Sequence, residues 1–157
     1  MRKISEVMTK QDWRKYVRAL QALAIKVTKQ LKIEKLPQAF SNNDYAKLLK
    51  SGTAFTGSTV PEGKVATWVK RFKPQKKLCF YNSGFLAMEF PKATYYEGIA
   101  QSNGFYFAHA WTVIDGKVVD VTTDADFYFG VPFETKEVAN SFAYWGQAQA
   151  MLKLPFG

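Results

Sequence analysis

Cys79 and His109 are the only cysteine and the only histidine in the chain, and Asp120 follows the histidine on the far arm of a short turn. These residue types are the parts of a thiol nucleophile, a base and an orienting carboxylate. A free thiol is only a few per cent thiolate at neutral pH, and an adjacent imidazole raises that fraction. The imidazole in turn needs a partner that fixes its tautomer and stabilises its charge. A cysteine at the start of a helix gains further, because the unpaired N–H groups and the helix dipole favour a thiolate and, later, an oxyanion.

The turn itself predicts that His109 and Asp120 meet. Ile114-Asp115-Gly116-Lys117 is a two-residue hairpin signal of type I′, in which both central residues need positive φ. It pairs Ile114 with Lys117, then Val113 with Val118, Thr112 with Val119, Trp111 with Asp120 and His109 with Thr122. Opposed residues share a face, as do residues two apart on one strand. His109, Trp111, Asp120 and Thr122 therefore fall on one face, with His109 and Asp120 diagonal neighbours roughly 7–8 Å apart at the backbone. Side chains of these lengths close that gap to a hydrogen bond. A loop one residue longer would turn Asp120 to the other face.

Cys79, then Tyr96-Glu97-Gly98-Ile99, His109-Ala110-Trp111 and Asp120-Val121-Thr122 together resemble the core of the transglutaminase-like cysteine superfamily, within the papain-like fold group. The resemblance spans 44 of 157 residues. Val121 stands where that family often has proline, and Leu78 and Phe80 flank the cysteine where smaller or Trp-containing patterns are common. The resemblance implies Cys79 as nucleophile, His109 as base and Asp120 as orienter. It also implies an α+β core in which the cysteine-bearing helix packs on a small antiparallel sheet. Papain-like enzymes often carry an oxyanion-hole glutamine upstream of the cysteine, which makes Gln75 a candidate. Trp111 and Tyr96 are candidates for substrate contact. No cofactor or metal is expected. Asp124 and Asp126 lack companions at metal-ligand spacing.

The chain length fits one domain, and 47% apolar residues suffice for a core. No segment reaches the length of a transmembrane helix. A single cysteine and the absence of an apolar leader after Met1-Arg2-Lys3 place the expectation in a cytoplasm. The net charge of +9 is uneven, at +7 over residues 1–36, +6 over 37–78 and −4 over 79–157. The basic part suggests an anionic partner, nucleic acid among them. Its densest run is Lys70-Arg71-Phe72-Lys73-Pro74-Gln75-Lys76-Lys77. That run reads as a solvated turn, as positive charge favouring the thiolate of Cys79, or as an anion site with Phe72 for stacking.

Helical spacing of Trp13, Tyr16, Val17, Leu20, Leu23, Ala24, Val27 and Leu31 predicts a basic amphipathic helix over 9–31, with Thr9 and Asp12 as its N-terminal pair. Leu36-Pro37 breaks it. A second helix is expected over 43–50, capped by Ser41 or Asn42 and stopped at Gly52. Residues 51–63 read as a loop, and 65–69 as a short helix or strand. Cys79–Phe90 reads as a buried helix ended by Pro91, in which Gly84 permits close approach to a sheet. Strands are expected over 93–100, 105–114 and 117–122, with Glu97 at the surface. Residues 123–134 read as a loop with a short strand walling a cleft, followed by a helix over 135–144 stopped at Gly146.

The resulting expectation is a cysteine-dependent acyl-transfer enzyme acting on an amide or ester, a protein among the candidates. Water as acceptor gives a protease or amidase, and an amine gives a transglutaminase. The alternative is a non-catalytic basic protein that keeps a papain-like scaffold and binds nucleic acid or a partner protein. That alternative leaves the lone cysteine and histidine in triad order without a reason.

Overall fold

The computed structural model describes residues 8–31, 42–145 and 151–152. The expected break at Leu36-Pro37, the cap at Ser41 and the stop at Gly146 lie outside them, as do the side chains of Ala24, Val27, Leu31 and Asn42. The described residues form a mixed α+β fold. Its elements are α1 (Lys10–Leu31), α2 (Asn42–Ser51), β1 (Thr53–Thr56), α3 (Gly63–Phe72), α4 (Cys79–Glu89), β2 (Thr94–Ser102), β3 (Phe105–Ile114), β4 (Lys117–Val119), β5 (Phe127–Phe133) and α5 (Thr135–Trp145). The strands make one antiparallel sheet in the order β1-β5-β2-β3-β4.

Helix α1 opens on a reciprocal cap. Thr9 N–H donates to Asp12 Oδ2 at 2.9 Å, and Asp12 N–H donates to Thr9 Oγ1 at 3.1 Å, which satisfies two amides a helix start leaves bare. Trp13 and Val17 are buried, with Tyr16 and Leu20 packed beside them, whereas Leu23 on the same stripe is 56% exposed. The Arg14 guanidinium donates to the Leu49 carbonyl and ties α1 to α2.

Two regions depart from the sequence expectation. Within the expected loop 51–63, Thr53–Thr56 forms an edge strand paired to β5. Residues 127–133 are not a cleft wall but an interior strand, hydrogen-bonded to β1 on one side and β2 on the other. Helices cover one face of this strand and a second aromatic cluster covers the other, so nearly every residue is buried. A strand buried on both faces shows no alternation to read. Burial of Phe129 and Val131 contributes roughly 1.5–3 kcal/mol each. Residues 65–69, undecided from sequence, lie within the helix Gly63–Phe72.

The sheet separates two apolar layers. Tyr95, Ile99, Ala110, Phe129 and Val131 face the helices with Trp13, Val17, Tyr45 and Leu48. Trp111, Tyr128, Ala100 and Val113 pack on the other face with Tyr96 and Phe107. Gly98 and Gly130 oppose each other across β2 and β5. A Cβ on Gly98 would lie 2.1 Å from the Phe129 carbonyl oxygen, and one on Gly130 would lie 2.6 Å from the Trp111 ring. Gly130 thus vacates space that the Trp111 indole fills, and Gly98 lets the β5 backbone approach. Gly84 serves a different contact from the one expected, since a Cβ there would strike the Phe142 ring of α5 at 2.3 Å, not the sheet.

Gly98→Ala must push β5 backbone aside and is expected to cost at least about 2 kcal/mol. Urea denaturation measures it; an unchanged midpoint contradicts this account of the β2–β5 approach.

Candidate active site

Cys79 is the first residue of α4. The chain enters through Lys77 at φ 64° and Leu78, whose carbonyl accepts the Asn82 N–H at 2.9 Å. That is the first helical bond, so the amides of Cys79, Phe80 and Tyr81 precede any intrahelical acceptor. Leu78 supplies no side-chain cap. Ser83 Oγ donates to the Ala110 carbonyl at 3.1 Å and fastens the helix to β3.

Asn82, fully buried, fixes what lies on either side of the cysteine. Its carbonyl oxygen accepts Gln75 N–H at 3.0 Å, and its amide donates to the Gln75 carbonyl at 2.8 Å and to Thr122 Oγ1 at 2.9 Å. The approach loop and the loop after β4 are therefore held to one side chain in the first turn of α4. An asparagine three residues after the cysteine, in an otherwise apolar helix, was the available signal for this role.

The hairpin has the predicted register, with Ile114 opposite Lys117 and Thr112 opposite Val119. Asp115 at φ 52° and Gly116 at φ 75° make the turn. β4 is shorter than expected and ends at Val119, because Asp120 turns the chain out of the ladder. Its Oδ1 accepts the N–H groups of Thr122 and Thr123, each at 3.0 Å, a local Asx arrangement that competes with strand pairing. Its Oδ2 accepts His109 Nε2 at 2.6 Å and the Tyr128 hydroxyl at 2.9 Å. Tyr128 also lies 3.2 Å from the Thr123 carbonyl, but its single proton belongs to the shorter bond to a charged acceptor. Burial, then the Asp120 charge, raises the Tyr128 hydroxyl far above its usual range, so it stays a donor. Nothing in the sequence marked Tyr128, which sits within a run of aromatics.

His109 is 3% exposed and lies between Phe107, Trp111 and Tyr128, with ring centroids 5.3, 6.1 and 6.2 Å away. Asp120 occupies Nε2, and Cys79 lies near enough to the imidazole to add to its upward shift. Burial disfavours the charged ring. The Asp120 charge and hydrogen bond, with a smaller contribution from Cys79, outweigh that, and the imidazole is pushed up to about 9.

The structure thus brings Cys79, His109 and Asp120 together and treats the other candidates differently. Gln75 is exposed and meets the site through its backbone. Trp111 is wholly buried, so it packs beside the imidazole and offers no face to a substrate. Tyr96 is half-buried and stacks on Trp111. Lys70, Arg71, Lys73, Lys76 and Lys77 are all exposed. Glu97, expected at the surface, is 1% exposed. It lies under the helical layer and accepts the Tyr95 hydroxyl at 2.8 Å and the N–H groups of Met151 and Leu152 at 2.8 and 3.0 Å. Cys79 itself is 8% exposed. A cleft of about 580 Å³ lies elsewhere, between residues 59–65, Phe90 and the Ile114–Lys117 turn, and includes none of the three. Among the described residues no cluster of three or more His, Cys, Asp or Glu side chains could hold a metal ion, and no helix is long and apolar enough to cross a membrane. No protein-family model, curated protein or solved structure matches this chain.

Two outcomes follow. Asn82→Ala strands both Gln75 backbone groups and is expected to cost about 2–3 kcal/mol, read by denaturant unfolding; a loss within 0.5 kcal/mol or so contradicts the clamp. The His109–Asp120 pair makes stability depend on pH. The folded imidazole titrates above its unfolded value near 6.5, so its stabilisation is complete below about pH 6.5 and is lost as pH rises through about 9. The stability gap between wild type and His109→Gln should shrink across that window; a gap constant from pH 6 to 10 contradicts the pairing.

Proposed function

We propose that this protein performs thiol acyl-transfer chemistry, with Cys79 as nucleophile, His109 as proton carrier and Asp120 as orienter, on the pattern of the transglutaminase-like cysteine superfamily. The observation that carries the reading is the shared imidazole. One nitrogen is held by a buried carboxylate at 2.6 Å, and the charged ring also feels a cysteine on the first turn of a helix. An inert core cysteine needs neither a charged imidazole beside it nor bare helix amides around it.

The steps follow from those positions. With the thiol proton on His109, the Cys79 thiolate attacks an amide or ester carbonyl, and the carbonyl electron pair moves onto oxygen. The first-turn amides of α4 are the nearest donors for that oxyanion. As the tetrahedral intermediate collapses, the imidazolium gives its proton to the departing amine or alcohol and the old acyl bond breaks, leaving a thioester. A second nucleophile then attacks the thioester, His109 accepts its proton, and the thiolate leaves. Water at this step makes the enzyme a protease or amidase; an amine makes it a transglutaminase. Asp120 keeps the ring aligned throughout and stabilises its positive charge.

Iodoacetamide, a small alkylating reagent, tests the nucleophile without a substrate. At pH 6 an ordinary thiol is only roughly 0.3% thiolate. His109→Ala is expected to lower the rate of Cys79 alkylation at pH 6 by at least about tenfold. A rate that climbs steeply and identically with pH in both proteins, or a cysteine inert until unfolding, overturns the reading and favours a basic binding protein.

A further inference from the structure

The approach to Cys79 carries a charge that the proposed chemistry leaves unused. Lys70 and Arg71 lie in the last turn of α3, and Lys73, Lys76 and Lys77 lie on the loop that runs from α3 into α4. All five are exposed, and no ion pair with a carboxylate satisfies them among the described residues. Like charges so close together repel, and the C-terminal dipole of α3 offsets that only for those beside its last carbonyls. Two of the five also occupy backbone positions that favour glycine, Lys73 at φ 54° and Lys77 at φ 64°.

This loop is not a free arm. Asn82 grips both backbone groups of Gln75, and the Lys73 N–H is bonded to the Val69 carbonyl at 2.9 Å. The lysines on either side of Gln75 therefore stand in a set relation to the nucleophile. Lys76 and Lys77 are three and two residues before Cys79, which places their backbones within roughly 10 Å of it.

We infer that this basic face docks an acidic segment of a protein substrate and so presents a neighbouring acyl group to Cys79, an inference that rests on the acyl-transfer reading. The aromatic rings nearby favour a carboxylate-bearing partner over single-stranded nucleic acid. Phe72 stacks on Trp68 at 4.4 Å and on Tyr81 at 5.6 Å, and Tyr81 packs on Phe85 at 4.8 Å. Phe72, the ring that a base would need as a platform, is already stacked on two neighbours. Flexible ammonium groups suit carboxylates held at short range.

The test measures binding apart from chemistry, in the full chain carrying Cys79→Ala. A fluorescent Glu-rich peptide is titrated against this protein, against the same protein with Lys73→Glu, Lys76→Glu and Lys77→Glu, and against one with Lys10→Glu, Lys15→Glu and Arg18→Glu on α1, which changes net charge equally at a different place. The peptide should bind, lose affinity with added salt, and weaken at least about tenfold with the loop changes but only about twofold with the α1 changes. Equal losses in the two variants, or no binding to the parent, overturn the docking surface. Tighter binding of an oligothymidylate than of the peptide, lost with the same loop lysines, overturns the partner assignment. Peptide binding beside a Cys79 inert to iodoacetamide leaves the surface standing and removes the acyl-transfer reading; a reactive Cys79 without peptide binding does the reverse.

Discussion

Asp120 carries one charge on two oxygens, and three separate parts of the chain converge on them. Its own loop supplies two backbone amides to Oδ1, β3 supplies the imidazole and β5 supplies the Tyr128 hydroxyl to Oδ2. A carboxylate whose side chain is fully covered is costly unless its lone pairs are matched, and this one is matched by four donors. The same interaction ends β4, aims the loop toward Asn82 through Thr122, and holds positive charge on His109. Structural and chemical roles coincide here. The residue that ends β4 is also the partner of the histidine.

Packing makes that convergence possible. His109 stands opposite Gly98, and Gly98 stands opposite Gly130 on the next strand. The side chain missing at Gly130 admits the Trp111 indole, which lies beside the imidazole at 6.1 Å. On the other side of the sheet Gly84 lets α5 close on α4, and Ser83 fixes α4 to β3. Helix α4 is thus held by the sheet, by α5 and by the Asn82 clamp. The proposed chemistry requires such redundancy, because a displacement of about an ångström in three aligned side chains would cost it dearly.

The local signals in the sequence proved sufficient wherever the structure is local. The Asp115-Gly116 turn specified its own register, and with it the meeting of His109 and Asp120. Thr9 with Asp12 specified a helix start, and the apolar run after Cys79 specified a buried helix. What escaped was set by long-range packing. β5 is buried on both faces and carries no alternation; β1 is a short edge strand that exists because β5 offers it a ladder. Glu97 looked exposed because the segment that covers it lies 54 residues away. Trp111 looked available because a hairpin face says nothing of what is stacked on it. Tyr128 was invisible for the same reason, and Asn82 was visible only as an anomaly.

The basic loop and the candidate centre are joined through the Gln75–Asn82 clamp. His109 carries its proton through neutrality because Asp120 and, to a smaller extent, Cys79 hold it there. The chain has one histidine, so its imidazole signals in a proton–nitrogen spectrum need no assignment. Titrated from pH 5 to 10, the ring should remain an imidazolium until about pH 9, and Asp120→Asn should bring its midpoint down toward the ordinary value near 6.5. A wild-type ring that loses its proton near 6.5, with no response to Asp120→Asn, would contradict the account.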